Sequence, residues 1–177
     1  MKIQQHIFLI GFMGSGKSTI GSLLAERLEL PFFDSDKEIE KRAGKNITTI
    51  FSEDGEPAFR KLEMEFLKEL KSTSPSIIAV GGGLPAIDGA IKLLHESGLV
   101  IYLNTSLLTL IKRLKEEKQH RPMLRDLSDA EFHPFVEALL SERVHFYKQA
   151  RLIMPNERND PNELVEKLEK ELFKLVN

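Results

Sequence analysis

The residues Gly11-Phe12-Met13-Gly14-Ser15-Gly16-Lys17-Ser18, followed by Thr19, have the spacing G-x-x-x-x-G-K-[ST], which suits a chain of phosphates. Glycines at 11, 14 and 16 let backbone approach an anion without a Cβ in the way. Lys17 adds a full positive charge and Ser18 a hydroxyl. The apolar run His6–Ile10 just before predicts a buried strand. Ile20, Leu23, Leu24 and Leu28 recur at helical spacing just after, so a helix opens at the lysine. Strand, loop and helix N-terminus then form an anion cradle, in which backbone N–H groups and the helix dipole act together. Gly14, Ser15, Gly16, Lys17, Ser18 and Thr19 are therefore the candidate nucleotide phosphate site.

Four further groupings could do chemistry beside it. Asp34-Ser35-Asp36 follows a second apolar run, and alternate residues at a strand end face the same way. Two carboxylates there could divide the work of holding a hard cation and orienting a hydroxyl. The same residues equally suit a helix N-cap at Asp36, since Asp36-Lys37-Glu38-Ile39-Glu40 reads as a helix start. Arg60 and Glu63 form an i, i+3 pair, either a surface ion pair of little worth or an Arg fork oriented toward a substrate carboxylate. Gly81-Gly82-Gly83 closes the third apolar run, where either a sharp turn or a ligand-facing wall explains three glycines. Arg121 stands beside Pro122 in a polar stretch, and Arg143 follows Glu142 four residues before Tyr147. Either arginine is a solvated charge or a cation for an anionic ligand.

These residues need a scaffold. Five short apolar segments predict strands over His6–Ile10, Leu30–Phe33, Ile77–Val80, Leu99–Leu103 and Arg151–Met154. Between them, helical patterns cover Ser18–Glu29, Glu56–Lys71, Ala86–Ser97, Ser106–Glu117 and about Pro134–Lys148. A last helix opens with Asp160 as N-cap, Pro161 at N1 and Glu163 at N3. Strands alternating with helices predict a parallel sheet covered on both faces. The span Glu116–Ser128 lacks apolar periodicity and reads as a mobile loop. With 177 residues the chain has room for one domain.

Composition narrows the function. Lys plus Arg number 25 and Asp plus Glu 27, a net charge of −2, so no global basic field draws the chain onto nucleic acid. No cysteine is present, which removes disulfides and thiolate metal sites. The five histidines show no H-x-x-x-H pairing, no signal peptide heads the chain, and no apolar run reaches membrane-spanning length. A cytoplasmic enzyme is the expectation.

Taken in order, GFMGSGKSTIG at 11–21, DSD at 34–36, DGEPAFRKLE at 54–63, GGG at 81–83, RPML at 121–124 and ER…Y at 142–147 resemble the shikimate kinase family. The resemblance implies a three-layer α/β fold of the nucleoside monophosphate kinase type. Its five-stranded parallel sheet would run in the order 2-3-1-4-5, in a single kinase domain with a lid at about 116–128. It also implies transfer of phosphate from Mg-ATP to the 3-hydroxyl of shikimate, on the way to chorismate and the aromatic amino acids. Lys17 would contact the β- and γ-phosphates, and Mg²⁺ would fall to Ser18, with Asp34 acting through water. Asp36 would bind the acceptor hydroxyl and take its proton. Arg60 and Arg143 would clamp the carboxylate, and Gly81, Gly82 and Gly83 would line the ring. Arg121 would descend with the lid, Arg113 would stack on adenine, and the loop around Pro155–Arg158 would rim the base. A monomer acting on ATP and shikimate, with no nucleic-acid or membrane partner, is expected.

Three rivals share the cradle. A gluconate-type kinase would lack the F-R-x-x-E plus G-G-G set, and a nucleotide kinase would need a base-reading pocket for its acceptor. A regulatory nucleotide-binding module would carry N-K-x-D, which is absent.

Overall fold

The computed structural model describes residues 3–157 and 160–176. Strand β1 (His6–Ile10) is buried along its whole length, as an uninterrupted apolar run in a parallel sheet should be. It pairs in parallel with β3 (Ile77–Ala79) on one side and β4 (Gly98–Asn104) on the other. Strand β2 (Phe32–Asp34) lies outside β3, and β5 (Leu152–Pro155) outside β4. The order is β2-β3-β1-β4-β5, as expected. Four strands differ from their predicted ends by one or two residues. β2 moves most, because Leu30 and Pro31 belong to the turn that leaves the preceding helix; the Leu30 N–H still bonds Ala25.

Side chains alternate between the faces of the sheet. Ile7, Leu9, Ile77, Leu99, Ile101 and Leu103 pack against helices α1 (Lys17–Leu28) and α9 (Pro161–Val176) through Leu24, Leu168 and Leu172. Asp160 accepts the Asn162 N–H at 2.9 Å, the N-cap expected for α9. On the other face Phe8, Ile10, Ile78, Val100 and Tyr102 meet Phe66, Leu94, Leu110, Phe132 and Val136. These come from α4 (Gly55–Leu70), α5 (Ala90–Ser97), α6 (Leu107–Glu117) and α8 (Asp129–Tyr147). A sheet between two helical layers results.

Several elements depart from expectation. Helix α2 (Ser35–Ala43) is capped by Asp34, not by Asp36. Helix α3 (Ile47–Glu53) was not foreseen; its Ile50 joins Ile39 and Phe59 in a small satellite core, with Ile47 packed on it and Phe51 against Phe59, a stripe only 7 residues long. The predicted Ala86–Ser97 helix is a 3₁₀ turn over Leu84–Ala86 followed by α5, since Gly89 at φ 75° interrupts it. The span expected to be a loop, 116–128, is built from the end of α6, a 3₁₀ turn and α7 (Pro122–Arg125). Its apolar anchors are just Leu124, fully buried, and Leu127. Helix α8 starts five residues before Pro134, at Asp129. Ser128 and Glu131 form a reciprocal capping box there, which offsets the bond that a proline in the helix cannot donate.

Candidate functional site

All five strands point their carboxyl ends at one edge, the place where an open parallel sheet binds ligands. The P-loop leaves β1 there, Asp34 ends β2, the triple glycine follows β3, and Asn156 follows β5. Together with α6 they enclose a cleft of about 430 Å³. Among its lining residues are Gly14, Gly16, Lys17, Ser18, Thr19, Asp34, Asp36, Gly81, Gly82, Arg113 and Arg121.

Gly16 takes φ 83° as the residue before α1, a left-handed conformation that glycine adopts without strain. Ser15 behaves differently from its neighbours. It is buried beneath the loop, its N–H donates to the Phe12 carbonyl at 3.1 Å, and its own carbonyl accepts from Asn156 Nδ2 at 2.7 Å. Its place is the foundation of the cradle. The Lys17 ammonium donates to the carbonyls of Gly11 and Phe12 at 2.8 and 2.9 Å. Burial pulls its pKa from 10.5 down to about 8, against the pull of Asp36 and with the push of Arg121. At neutral pH it stays a cation.

The two aspartates share the cleft by a route other than strand alternation. Asp34 Oδ1 accepts the N–H groups of Asp36 and Lys37 at 3.2 and 3.5 Å, while Oδ2 accepts the Ser18 hydroxyl at 2.5 Å. Cap and site are thus the same side chain, and the Ser18–Asp34 pair brings two hard oxygens together. Among the described residues no cluster of three His, Cys, Asp or Glu could hold a metal. A phosphate-bridged Mg²⁺ does not require one. Asp36, in the first turn of α2, is half-buried; burial raises its pKa, and the Asp34 charge adds to the rise.

The triple glycine opens a turn, in which the Leu84 N–H bonds the Gly81 carbonyl at 3.1 Å, and its neighbours leave no room for side chains at Gly81 and Gly83. A Cβ on Gly81 would lie 2.5 Å from Asp36 Oδ1 and 2.9 Å from Glu63 Oε1, and one on Gly83 would lie 2.8 Å from Arg60 Nη1. The glycines leave room for the polar side chains of α2 and α4. Arg60 donates through Nη1 to Glu63 at 2.7 Å and through Nε and Nη2 to Glu56 at 3.1 and 2.7 Å. Glu63 is 1% exposed, so this is no surface pair. Burial lifts its carboxyl from 4.5 to about 7 in spite of the Arg60 hydrogen bond. Arg143, on α8, is close enough for its charge to act on Lys17, Glu63 and Tyr147.

Along the other wall, α6 presents Arg113, whose Nη1 reaches the Gly14 carbonyl at 3.4 Å. Arg121 lies in the cleft wall, ion-paired with Glu117. Arg158 lies outside the described residues. Several positioning residues were missed. Ser35 is buried and accepts the Gly81 N–H at 2.8 Å. Glu157 accepts from Ser106 N, Ser106 Oγ and Thr109 Oγ1 at 2.6, 2.7 and 2.6 Å, tying the loop after β5 to the start of α6. Asn156 holds Ser15, and Pro161 adds to the cleft wall. The proline and Asn156 flank the loop already expected to rim a base. No pattern in the sequence separates Ser35 or Glu157 from surface residues.

The match to known proteins is extensive. The family model described as "Shikimate kinase" covers residues 13–173. A shikimate kinase of Azobacteroides pseudotrichonymphae is 39% identical over 165 residues, 93% of this chain and 97% of that protein. The crystal structure of shikimate kinase from Bacteroides thetaiotaomicron superposes with a TM-score of 0.90 at 34% identity, covering 96% of this chain and 99% of the other. Shikimate kinase from Acinetobacter baumannii in complex with shikimate gives 0.89 at 31% identity, covering 97% and 94%. With the family model spanning all but the two ends, and a relative matched over almost its whole length, the chain belongs to the shikimate kinase family.

Proposed function

We propose that this chain transfers the γ-phosphoryl group of ATP to the 3-hydroxyl of shikimate, giving shikimate 3-phosphate and ADP. The observation that carries this reading is the meeting of Asp36 and the buried Glu63 across Gly81, with the half-buried Arg60 paired to Glu63 and lying against Gly83. A small hydroxylated carboxylate needs an Arg fork at one end and a carboxylate at its reacting hydroxyl. Kinship with an enzyme described in complex with shikimate supports the same substrate.

In this mechanism Arg60, with its fork fixed by Glu56 and Glu63, binds the acceptor carboxylate together with Arg143. Gly81, Gly82 and Gly83 line the ring. Asp36 orients the 3-hydroxyl toward the γ-phosphorus. The hydroxyl oxygen forms the new P–O bond as the bond to the β–γ bridging oxygen breaks. The leaving electron pair departs with ADP, and the hydroxyl proton passes to Asp36. The raised pKa of Asp36 suits a proton acceptor better than an ordinary surface carboxylate would. Lys17 and the backbone N–H groups around Gly14, Gly16, Ser18 and Thr19 neutralise the phosphate oxygens. The Ser18 hydroxyl and the Asp34 carboxylate are hard oxygen donors that would hold Mg²⁺, which would supply positive charge beside the phosphates. Arg113 stacks on adenine. Residues 116–128 act as the lid of a single kinase domain, carrying Arg121 from Glu117 to the phosphates and excluding water.

The test is ADP release with Mg-ATP and shikimate, gluconate or nucleoside monophosphates offered separately. Turnover with shikimate alone is the expected result. Turnover with another acceptor would retain the phosphate cradle and refute the acceptor site; none with any acceptor would favour a nucleotide-binding module.

A further inference from the structure

Helix α8 places two polar side chains four residues apart, Arg143 and Tyr147, on one face of the helix. The role proposed above uses the first. Tyr147 is fully buried, its ring packs against Tyr102 with centroids 5.3 Å apart, and its hydroxyl donates to the Gly82 carbonyl at 2.6 Å. Within the glycine loop, other groups meet partners on α2 or in the turn itself. The Gly81 N–H goes to Ser35, and the Gly81 and Gly83 carbonyls accept from Leu84 and Ala86 at 3.1 Å each. The Gly82 carbonyl turns to a side chain 65 residues away.

That carbonyl matters because of what Gly82 touches. A Cβ at this position would lie 3.4 Å from both the Gly11 carbonyl and the Met13 N–H, so Gly82 lies against the backbone of the phosphate loop. A loop of three glycines has no side chains of its own to anchor it. A buried phenol fixed by ring packing supplies the anchor at little entropic cost. Its one proton is committed to Gly82, which leaves its lone pairs for a donor, and Arg143, one turn earlier on α8, is close enough for its charge to act on the phenol. Burial raises the phenol pKa, so the donor persists throughout the neutral range.

We infer that Tyr147 is a positioning residue of the acceptor site, whose hydroxyl fixes Gly82 from behind and sets the approach of Arg143. This rests on the reading of Arg143 and Gly82 as acceptor contacts. The loop wall and the carboxylate clamp are then one unit, coupled through a single oxygen, and a defect there falls on the acceptor before it falls on ATP.

The test is Tyr147→Phe in the full chain, which removes the oxygen and keeps the ring against Tyr102. The expected result is a rise of about tenfold in the KM for shikimate, the scale of one buried hydrogen bond, with the KM for ATP changed less than about twofold. In an Arg143→Lys background the same substitution should add less than about threefold, because the two act through one oxygen. A tyrosine that merely supports packing would raise both KM values together, or would act additively with Arg143→Lys. Either outcome, or an unchanged shikimate KM, overturns the inference. Absence of shikimate turnover by the unsubstituted enzyme would overturn the acceptor reading itself and the inference with it, and is read before any variant is made.

Discussion

Glu63 offers the sharpest link between the energetics of the site and something measurable. It is a carboxylate 1% exposed, held by Arg60 Nη1 at 2.7 Å, yet its pKa is lifted by burial from 4.5 to about 7. Between these two values the folded chain keeps a proton that the unfolded chain releases. The native state then binds more protons, so stability falls as pH rises through this window and levels off above it. At about 1.4 kcal/mol per pH unit, the interval from 4.5 to about 7 corresponds to a loss of about 3 kcal/mol. Glu63→Gln keeps the size and a hydrogen-bond acceptor for Arg60 while removing the titration. Urea unfolding of both proteins at intervals from pH 4.5 to 8.5 should therefore give curves that converge or separate with pH, the substituted protein gaining on the original by about 3 kcal/mol between the ends of the window. Above about pH 7.5 the difference should be constant. Asp36 also has a raised pKa and gives both proteins a slope of the same sign, which subtraction removes. Parallel curves over the whole range would refute the argument, because Glu63 would then be as ionised inside the protein as outside it.

Three further outcomes follow from the same geometry. Asp36→Asn should lower kcat by about a hundredfold or more if the carboxylate takes the proton, measured at saturating ATP and shikimate; near-normal turnover would leave it an orienting role only. Asn156→Ala strands the Ser15 carbonyl that it holds at 2.7 Å, which should cost about 2 kcal/mol in unfolding and raise the KM for ATP several-fold; a loss of stability with an unchanged ATP KM would detach Asn156 from the cradle. Ser128→Ala breaks the capping box of α8 and should cost about 1 kcal/mol, or about 2–4 °C in melting temperature. Calorimetry checks the second figure, and a shift of the shikimate KM at the same time would mean that the cap also sets the position of Arg143.

The contrast between what the sequence disclosed and what it hid follows from the range of the interactions. β1 was legible to the residue because its four apolar side chains, Ile7, Phe8, Leu9 and Ile10, lie in a central parallel strand with both faces covered, and the buried His6 at its start is satisfied by the Leu70 carbonyl at 2.8 Å. The P-loop was legible because its function demands particular residues at fixed local intervals. Helix α3 and the 116–128 span were not: α3 carries Ile47, Ile50 and Phe51 over about two turns, and the 116–128 span is anchored by Leu124 and Leu127. A period needs more members than that.

The same distinction divides the site. Lys17 stood out through its spacing in the P-loop, whereas spacing left Asp36 open as a helix cap and Arg60 as a surface ion pair, and the family resemblance singled them out. Residues that act by holding another residue gave no local sign, because their partners lie far off in the chain: 46 residues from Ser35 to Gly81, 141 from Asn156 to Ser15, 51 from Glu157 to Ser106. The triple glycine shows why this matters. From the sequence its emptiness could be assigned to a turn or to a ligand, both local ideas, whereas the fold adds to the turn the Asp36 carboxylate and the Arg60 guanidinium arriving from two other elements. Asp34 carries the point furthest. Helix cap and metal-site residue were competing readings of this pair of aspartates, and the geometry lets one carboxylate serve both, Oδ1 on the backbone of α2 and Oδ2 on Ser18. Because that carboxylate ties the start of α2 to the first turn of α1, Asp36 two residues later lies against the same cleft.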